Sequence, residues 1–125
     1  MSMISYITIG TNDLPQALAF YDELFAEWQV PRIHDTERFS FYANGEGPGV
    51  MVTLPYDEQS ATVGNGNMVA LSADNEEQVK AVYAKAIALG ATCEGEPGIR
   101  GDGISFGAYF RDPDGNKLAV MHMKV

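Results

Sequence analysis

The feature that most constrains this chain is that its pattern begins twice, 62 residues apart. Tyr6 falls opposite Met68, Asn12 opposite Asp74, and Tyr21 opposite Tyr83 at that one offset. Ile4–Gly10 is β-branched and alternates, with Ile7 and Ile9 on one face and Tyr6 and Thr8 on the other. Thr11, Asn12 and Asp13 then supply a helix N-cap, because a short side-chain acceptor can bond an orphan N–H of the first turn. Pro15 sits in that turn, where its missing N–H costs nothing. Leu14, Ala17, Leu18, Tyr21, Leu24, Phe25 and Trp28 recur at three- and four-residue steps, which predicts an amphipathic helix of about four turns, stopped by Pro31. Three short strands follow, near Arg32–Asp35, Arg38–Ala43 and Val50–Leu54, with a glycine-rich turn over residues 44–49.

The second half repeats this order. Asn67–Ser72 alternates, with Met68 and Ala70 opposite Val69 and Leu71. Residues 73–75 cap a second helix whose stripe is Val79, Val82, Tyr83, Ala86, Ile87 and Leu89, and Gly90 closes it. Strands are expected at Thr92–Glu94, Ser105–Arg111 and Lys117–Met123. Asp112-Pro113-Asp114-Gly115-Asn116 makes the tight turn between the last two. Duplication accounts for two such units better than chance does. The fold class is therefore α+β: two βαβββ repeats whose mixed sheets curve around a cavity, with the helices on the outer face. A single domain over residues 1–125 is expected, with repeat one at about 3–55, a linker at about 56–65 and repeat two at about 66–123.

Charge narrows the partners. Seventeen acidic residues against eight basic ones give −9 at pH 7, with a pI near 4.4. Such a surface repels phosphate backbones and anionic lipid heads, so neither nucleic acid nor membrane is expected as a partner. The lone Cys93 excludes an internal disulfide framework. No signal peptide or membrane span is read, so a cytoplasmic location is expected.

The opening residues 3–14 with Ala17-Leu18-Ala19-Phe20-Tyr21, the second start at residues 64–71, and above all the closing phrase Tyr109-Phe110-Arg111-Asp112-Pro113-Asp114-Gly115-Asn116-Lys117-Leu118 resemble the vicinal oxygen chelate superfamily. That group includes glyoxalase I, bleomycin-resistance proteins and extradiol dioxygenases, and the resemblance spans essentially the whole chain. It implies metal ligands on the first strand of each half and on the closing strands. The corresponding residues are Tyr6 and Met68, where relatives commonly carry His, Ala119, where they carry Glu, and Thr53 by a looser match. Methionine is soft, alanine has no donor, and neutral tyrosine and threonine are weak donors for a divalent cation. A catalytic metal needs about three protein ligands. No metal and no cofactor are expected.

Other chemistry-bearing residues read as structural. His122 shares a strand face with Leu118 and Val120, and His34 lies beside Asp35 on a short strand. Cys93, flanked by Glu94 and Glu96, reads as a buried, inert thiol. Asp112 and Asp114 are explained by their turn. Gly98, Gly101 and Gly103 lack any phosphate-loop context and read as a mobile flap. What alternation leaves on the concave face is Tyr6, Thr8, Met51, Thr53, Met68, Ala119 and Met121, an adaptable methionine-rich wall with a few polar groups. The expected function is metal-independent binding of a small apolar or aromatic molecule. The alternatives are a glyoxalase-type lyase or isomerase with unconventional ligands, and a protein that sequesters a bleomycin-like drug. Trp28, Phe39, Phe41 and Tyr42 exceed the needs of one core, and a homodimer is expected.

Overall fold

The computed structural model describes residues 2–124; Met1 and Val125, the ends of the expected domain, lie outside the described residues. The chain forms two compact units, one ending at Thr62 and the other beginning at Val63. Among the described residues there are eight strands and two α-helices, in the order βαβββ twice.

In the first unit β1 (Tyr6–Gly10), β2 (Arg32–Asp35), β3 (Phe39–Tyr42) and β4 (Gly49–Thr53) form a sheet of order β1-β4-β3-β2. β1 runs parallel to β4, and the other pairs are antiparallel. Helix α1 (Leu14–Phe25) begins at Asp13, whose side chain accepts from the Gln16 amide, with Pro15 in the first turn as its fixed φ allows. The helix ends before Pro31 comes into play. A single 3₁₀ turn over Ala26–Trp28 leads to Gln29 at φ 56°, and this left-handed residue breaks the helix.

α1 packs on β4, and its seam is aromatic. Phe20 meets Tyr21 edge-on at 4.9 Å, Tyr21 lies tilted against Phe25 at 5.0 Å, and Phe25 meets Tyr42 edge-on at 5.1 Å. Tyr42 is fully buried there, so it belongs to this core and not to the surplus of aromatics expected for an interface. Its hydroxyl donates to Asp22 at 2.7 Å. Burial first, and that carboxylate second, push the Tyr42 phenol well above its ordinary range.

The second unit repeats the plan with β5 (Val69–Ser72), β6 (Thr92–Arg100), β7 (Ser105–Arg111) and β8 (Lys117–Met123) in the order β5-β8-β7-β6. Helix α2 (Glu76–Ala88) is capped by Asn75, and Gly90 follows it at φ 106°. α2 lies on β6, β7 and β8. Its Val79, Val82 and Ala86 are buried, as are Ala108, Phe110, Leu118 and Val120 of the sheet. Ile87, expected in the stripe, is exposed.

β6 is much longer than the Thr92–Glu94 segment expected, because bulges at Cys93/Gly95 and Gly95/Gly98 carry the pairing past Pro97. Gly98 is therefore a strand residue, and Gly101–Gly103 is the tight turn into β7. These glycines build a hairpin and not a flap. Cys93 is exposed on this edge strand, contrary to the buried thiol expected. Its hydrogen bond with Tyr83 is the chief reason the tyrosine hydroxyl is pushed up to about 12. No helix among the described residues is long and apolar enough to cross a membrane.

Candidate functional site

Each sheet has one face on its helix and one face without. In the first unit the helix-free face carries Tyr6 and Thr8 of β1, Met51 and Thr53 of β4, and Phe39 and Phe41 of β3. The register pairs Tyr6 with Gly49, Thr8 with Met51, Phe41 with Met51 and Phe39 with Thr53. Tyr6 is 49% exposed, and its ring meets Phe41 edge-on at 5.7 Å. Phe41 itself lies across Gly49, where a Cβ would fall 2.4 Å from the ring tip. Glycine at that position is what lets the Phe41 ring lie over β4.

An open groove of about 1010 Å³ lies on this face, and Thr8, Met51 and Thr53 line it together with Phe39, Arg38 and Tyr56. The strand register thus brings three of the expected ligand residues together, and Tyr6 stands beside them on the same face. The far wall is the segment 54–62, most of which falls in the linker expected at about 56–65. It is a built strap. Leu54 N donates to Arg38 O at 2.8 Å, Glu58 N to Pro55 O at 3.1 Å, and Arg38 Nη2 to Pro55 O at 2.5 Å. Asn12 clamps its end through both atoms of its amide to the backbone of Ala61. Thr53 Oγ1 donates to Leu54 O at 2.7 Å, so toward the groove its oxygen is an acceptor. Sequence reasoning missed Arg38, Tyr56 and the Asn12 clamp. An Asn whose amide imitates a backbone pair looks in sequence only like a cap residue.

In the second unit the helix-free face carries Ala70, Tyr109, Ala119 and Met121, with Tyr109 paired to Ala119 and Gly107 to Met121. Met68 precedes β5 and is 43% exposed. It lines a separate hollow of about 510 Å³ with Arg111, Lys117 and the loop Val63–Asn67. Ala119 is fully buried. His122 is half-buried, with Nδ1 3.2 Å from Ala73 O. His34 is exposed on β2, beside the Phe39 ring.

The register also revises one correspondence between the halves. Ile7 pairs with Val50 as Val69 pairs with Leu118. The counterpart of Ala119 is therefore Met51, and Thr53 answers to Met121. None of these residues suits the metal that catalytic relatives hold. Tyr6 leans on a phenyl ring, Ala119 has no donor atom, and Met68 shares its hollow with two cationic side chains, which repel a divalent ion. No group of three or more His, Cys, Asp or Glu comes together among the described residues. The donor set does not fit the group.

The model of the glyoxalase/bleomycin resistance protein/dioxygenase superfamily matches residues 3–120. A glyoxalase/bleomycin resistance protein from Albidiferax ferrireducens T118 is 37% identical, with 97% of this chain and 98% of that one covered and a TM-score of 0.87. A glyoxalase-related enzyme from Fulvimarina pelagi is 21% identical over 98% of this chain and 88% of that one, at a TM-score of 0.80. A lactoylglutathione lyase from Agrobacterium tumefaciens is 22% identical over 98% and 94%, at 0.73; these last two show likeness of fold alone. No curated protein matches. With the family model spanning nearly the whole chain and the duplicated βαβββ units in place, the chain belongs to the glyoxalase/bleomycin resistance protein/dioxygenase superfamily.

Proposed function

We propose that this protein binds a small, largely apolar or aromatic molecule on the helix-free faces of its sheets, and that it does so without a metal. The observation that carries this reading is the groove over β1, β3 and β4. Its floor is Phe39 and Met51, Thr8, Arg38 and Thr53 add polar groups, and its far wall is a hydrogen-bonded strap. Ligand sites commonly combine apolar surface with polar groups that orient the ligand. Methionine adapts to irregular shapes, and Met51 sits between Thr8 and Phe41 at the centre of the register. Thr53 orients a ligand by accepting a hydrogen bond, and Tyr6 closes one side. In the second unit Met68 and Met121 supply the corresponding surface, and Ala119 is buried behind it. The protein is further proposed to act in the cytoplasm as a homodimer.

A thermal-shift series of small aromatic compounds tests the binding. A ligand of the folded state raises the melting temperature in proportion to the logarithm of its concentration over its Kd. The expected result is a shift that grows with the logarithm of concentration for at least one aromatic compound and that Met51→Glu abolishes. Shifts that are the same in Met51→Glu as in wild type would contradict the assignment. Sedimentation at micromolar concentration tests the dimer, and a clean monomer would remove it.

A further inference from the structure

The hollow lined by Met68 has a chemistry of its own. It lies between the loop Val63–Asn67 and the facing ends of β7 and β8, where Arg111 pairs with Lys117 in register. Arg111 is held in place: its Nε meets Glu94 at 2.6 Å and its Nη1 donates to Gly115 O at 2.9 Å. Lys117 is different. Arg32, Lys80, Arg111 and Lys124 each have a carboxylate within ion-pair distance. The Lys117 ammonium has none among the described residues; its neighbour is the Tyr109 ring, 5.2 Å from the ring centre.

A second cation stands over the same ring. The Arg100 guanidinium lies 5.4 Å from the Tyr109 centroid, and Nη2 donates to Glu96 O at 2.6 Å. It occupies the space that Gly98 leaves, since a Cβ there would fall 2.9 Å from Nη1. It too meets no carboxylate among the described residues. On the loop side, Asn65 and Asn67 line the hollow, and the Asn67 side chain lies over Gly64. In a chain of net charge −9, two cations without a carboxylate partner thus stand over one ring.

We infer that the hollow beside Lys117 is an anion subsite that takes the carboxylate of a small organic acid. Lys117 supplies the charge, Asn65 and Asn67 supply neutral donors, and Met68 supports the apolar body of the ligand. Glu94 is paired with Arg111, and acids farther off on the surface are screened. At physiological ionic strength the screening length is about 8 Å, whereas a charge-assisted hydrogen bond forms at about 2.8 Å. The inference rests on the reading of the sheet faces as a ligand site and adds the sign of the ligand's charge.

The test compares benzoate with benzyl alcohol, its uncharged counterpart, by titration into ¹⁵N-labelled protein. Benzoate is expected to shift the amides of residues 64–68 and 117 saturably, and more weakly as salt is raised. Lys117→Met is expected to weaken benzoate about tenfold, the range of one charge-assisted contact, and to leave benzyl alcohol within about twofold. Lys117→Arg is expected to restore most of the affinity. An unchanged melting temperature of Lys117→Met shows that the variant is folded. Three results would overturn the inference: no shift at these amides, equal binding of the two probes, or benzoate affinity indifferent to Lys117→Met. Shifts by benzyl alcohol at Thr8, Met51 and Thr53 report the groove independently, so failure of the anion subsite and failure of the binding reading are told apart.

Discussion

Asn12 and Ala61, 49 residues apart, are joined by two hydrogen bonds: Asn12 Oδ1 accepts from Ala61 N at 2.6 Å, and Asn12 Nδ2 donates to Ala61 O at 3.0 Å. A side-chain amide here does the work of a neighbouring strand, and it ties the strap to the loop before α1. Gly10 lies beneath, close enough that a Cβ would touch Ala61 at 3.4 Å. Asn12→Ala removes both bonds. Because the pair is exposed, the expected loss of global stability is only about 1 kcal/mol. The larger expected effect is local: amide exchange of residues 54–62 accelerates, and the aromatic-ligand thermal shift shrinks. Hydrogen exchange by mass spectrometry reads the first effect directly. Unchanged exchange would show that the strap is held by something else.

Tyr42 joins the core to the polar edge of the first unit. Its ring is buried against Phe25, and its hydroxyl donates to Asp22, which also meets Arg32 at 3.0 Å. Tyr42→Phe keeps the packing and deletes one hydrogen bond to a charged acceptor. The expected cost is about 1–2 kcal/mol in urea unfolding with an unchanged m-value. A loss below about 0.5 kcal/mol would mean that water replaces the hydroxyl at no cost.

The closing hairpin depends on Asp112. It is buried, and its Oδ1 accepts from the amides of Asp114 at 3.0 Å and Asn116 at 2.8 Å, while Oδ2 accepts from Asn116 Nδ2 at 2.9 Å. Asp112→Ala leaves those donors without their acceptor and is expected to destabilise by about 2–3 kcal/mol. Asp112→Asn keeps part of the geometry and should lie between the variant and wild type. Equilibrium unfolding of the three proteins checks the order.

Acid stability has an assignable source. The Ser40 hydroxyl donates to Asp35 at 2.5 Å and, with Arg32 as a lesser influence, holds that carboxyl below its ordinary 3.8. Lys124, at 2.7 Å, does the same for Glu76, whose ordinary value is 4.5. A folded-state pKa below the unfolded one means stability that is present above the unfolded value and lost as pH falls through the folded one. Stability should therefore decline as pH drops below about 4.5, and Ser40→Ala should make that decline shallower. Urea midpoints measured from pH 6 to pH 2 test it; parallel curves for Ser40→Ala and wild type would contradict the assignment.

How much of this was legible in the sequence follows from what each segment depends on. β7 and β8 match the bounds that alternation and the flanking turns predict, because each is regular from end to end, and β2 matches them despite an irregularity between Arg32 and His34. β6 was only a third legible, since Gly95, Pro97 and Gly98 look like a stop and are instead accommodated by bulges on an edge strand. That same edge position exposes Cys93. Thr8, Met51 and Thr53 of the groove followed from period-two alternation, whereas Phe39 was expected at an interface, and Arg38, Tyr56 and the Asn12–Ala61 clamp depend on where a loop returns. The Arg100–Tyr109–Lys117 cluster joins three strands, and no spacing within one of them announces it.

The central claim, binding without a metal, is tested most directly by the metal content of the protein and its consequence for one ligand. Protein purified without chelators is analysed for Zn, Ni, Fe and Mn. The affinity of its best aromatic ligand is then measured calorimetrically before and after dialysis against EDTA. Far less than one transition metal per chain and the same affinity in both samples are expected, because Tyr6, Met68 and Ala119 offer no anionic or imidazole donor. About one tightly held metal per chain, with binding lost on chelation and restored by adding that metal back, would contradict the claim.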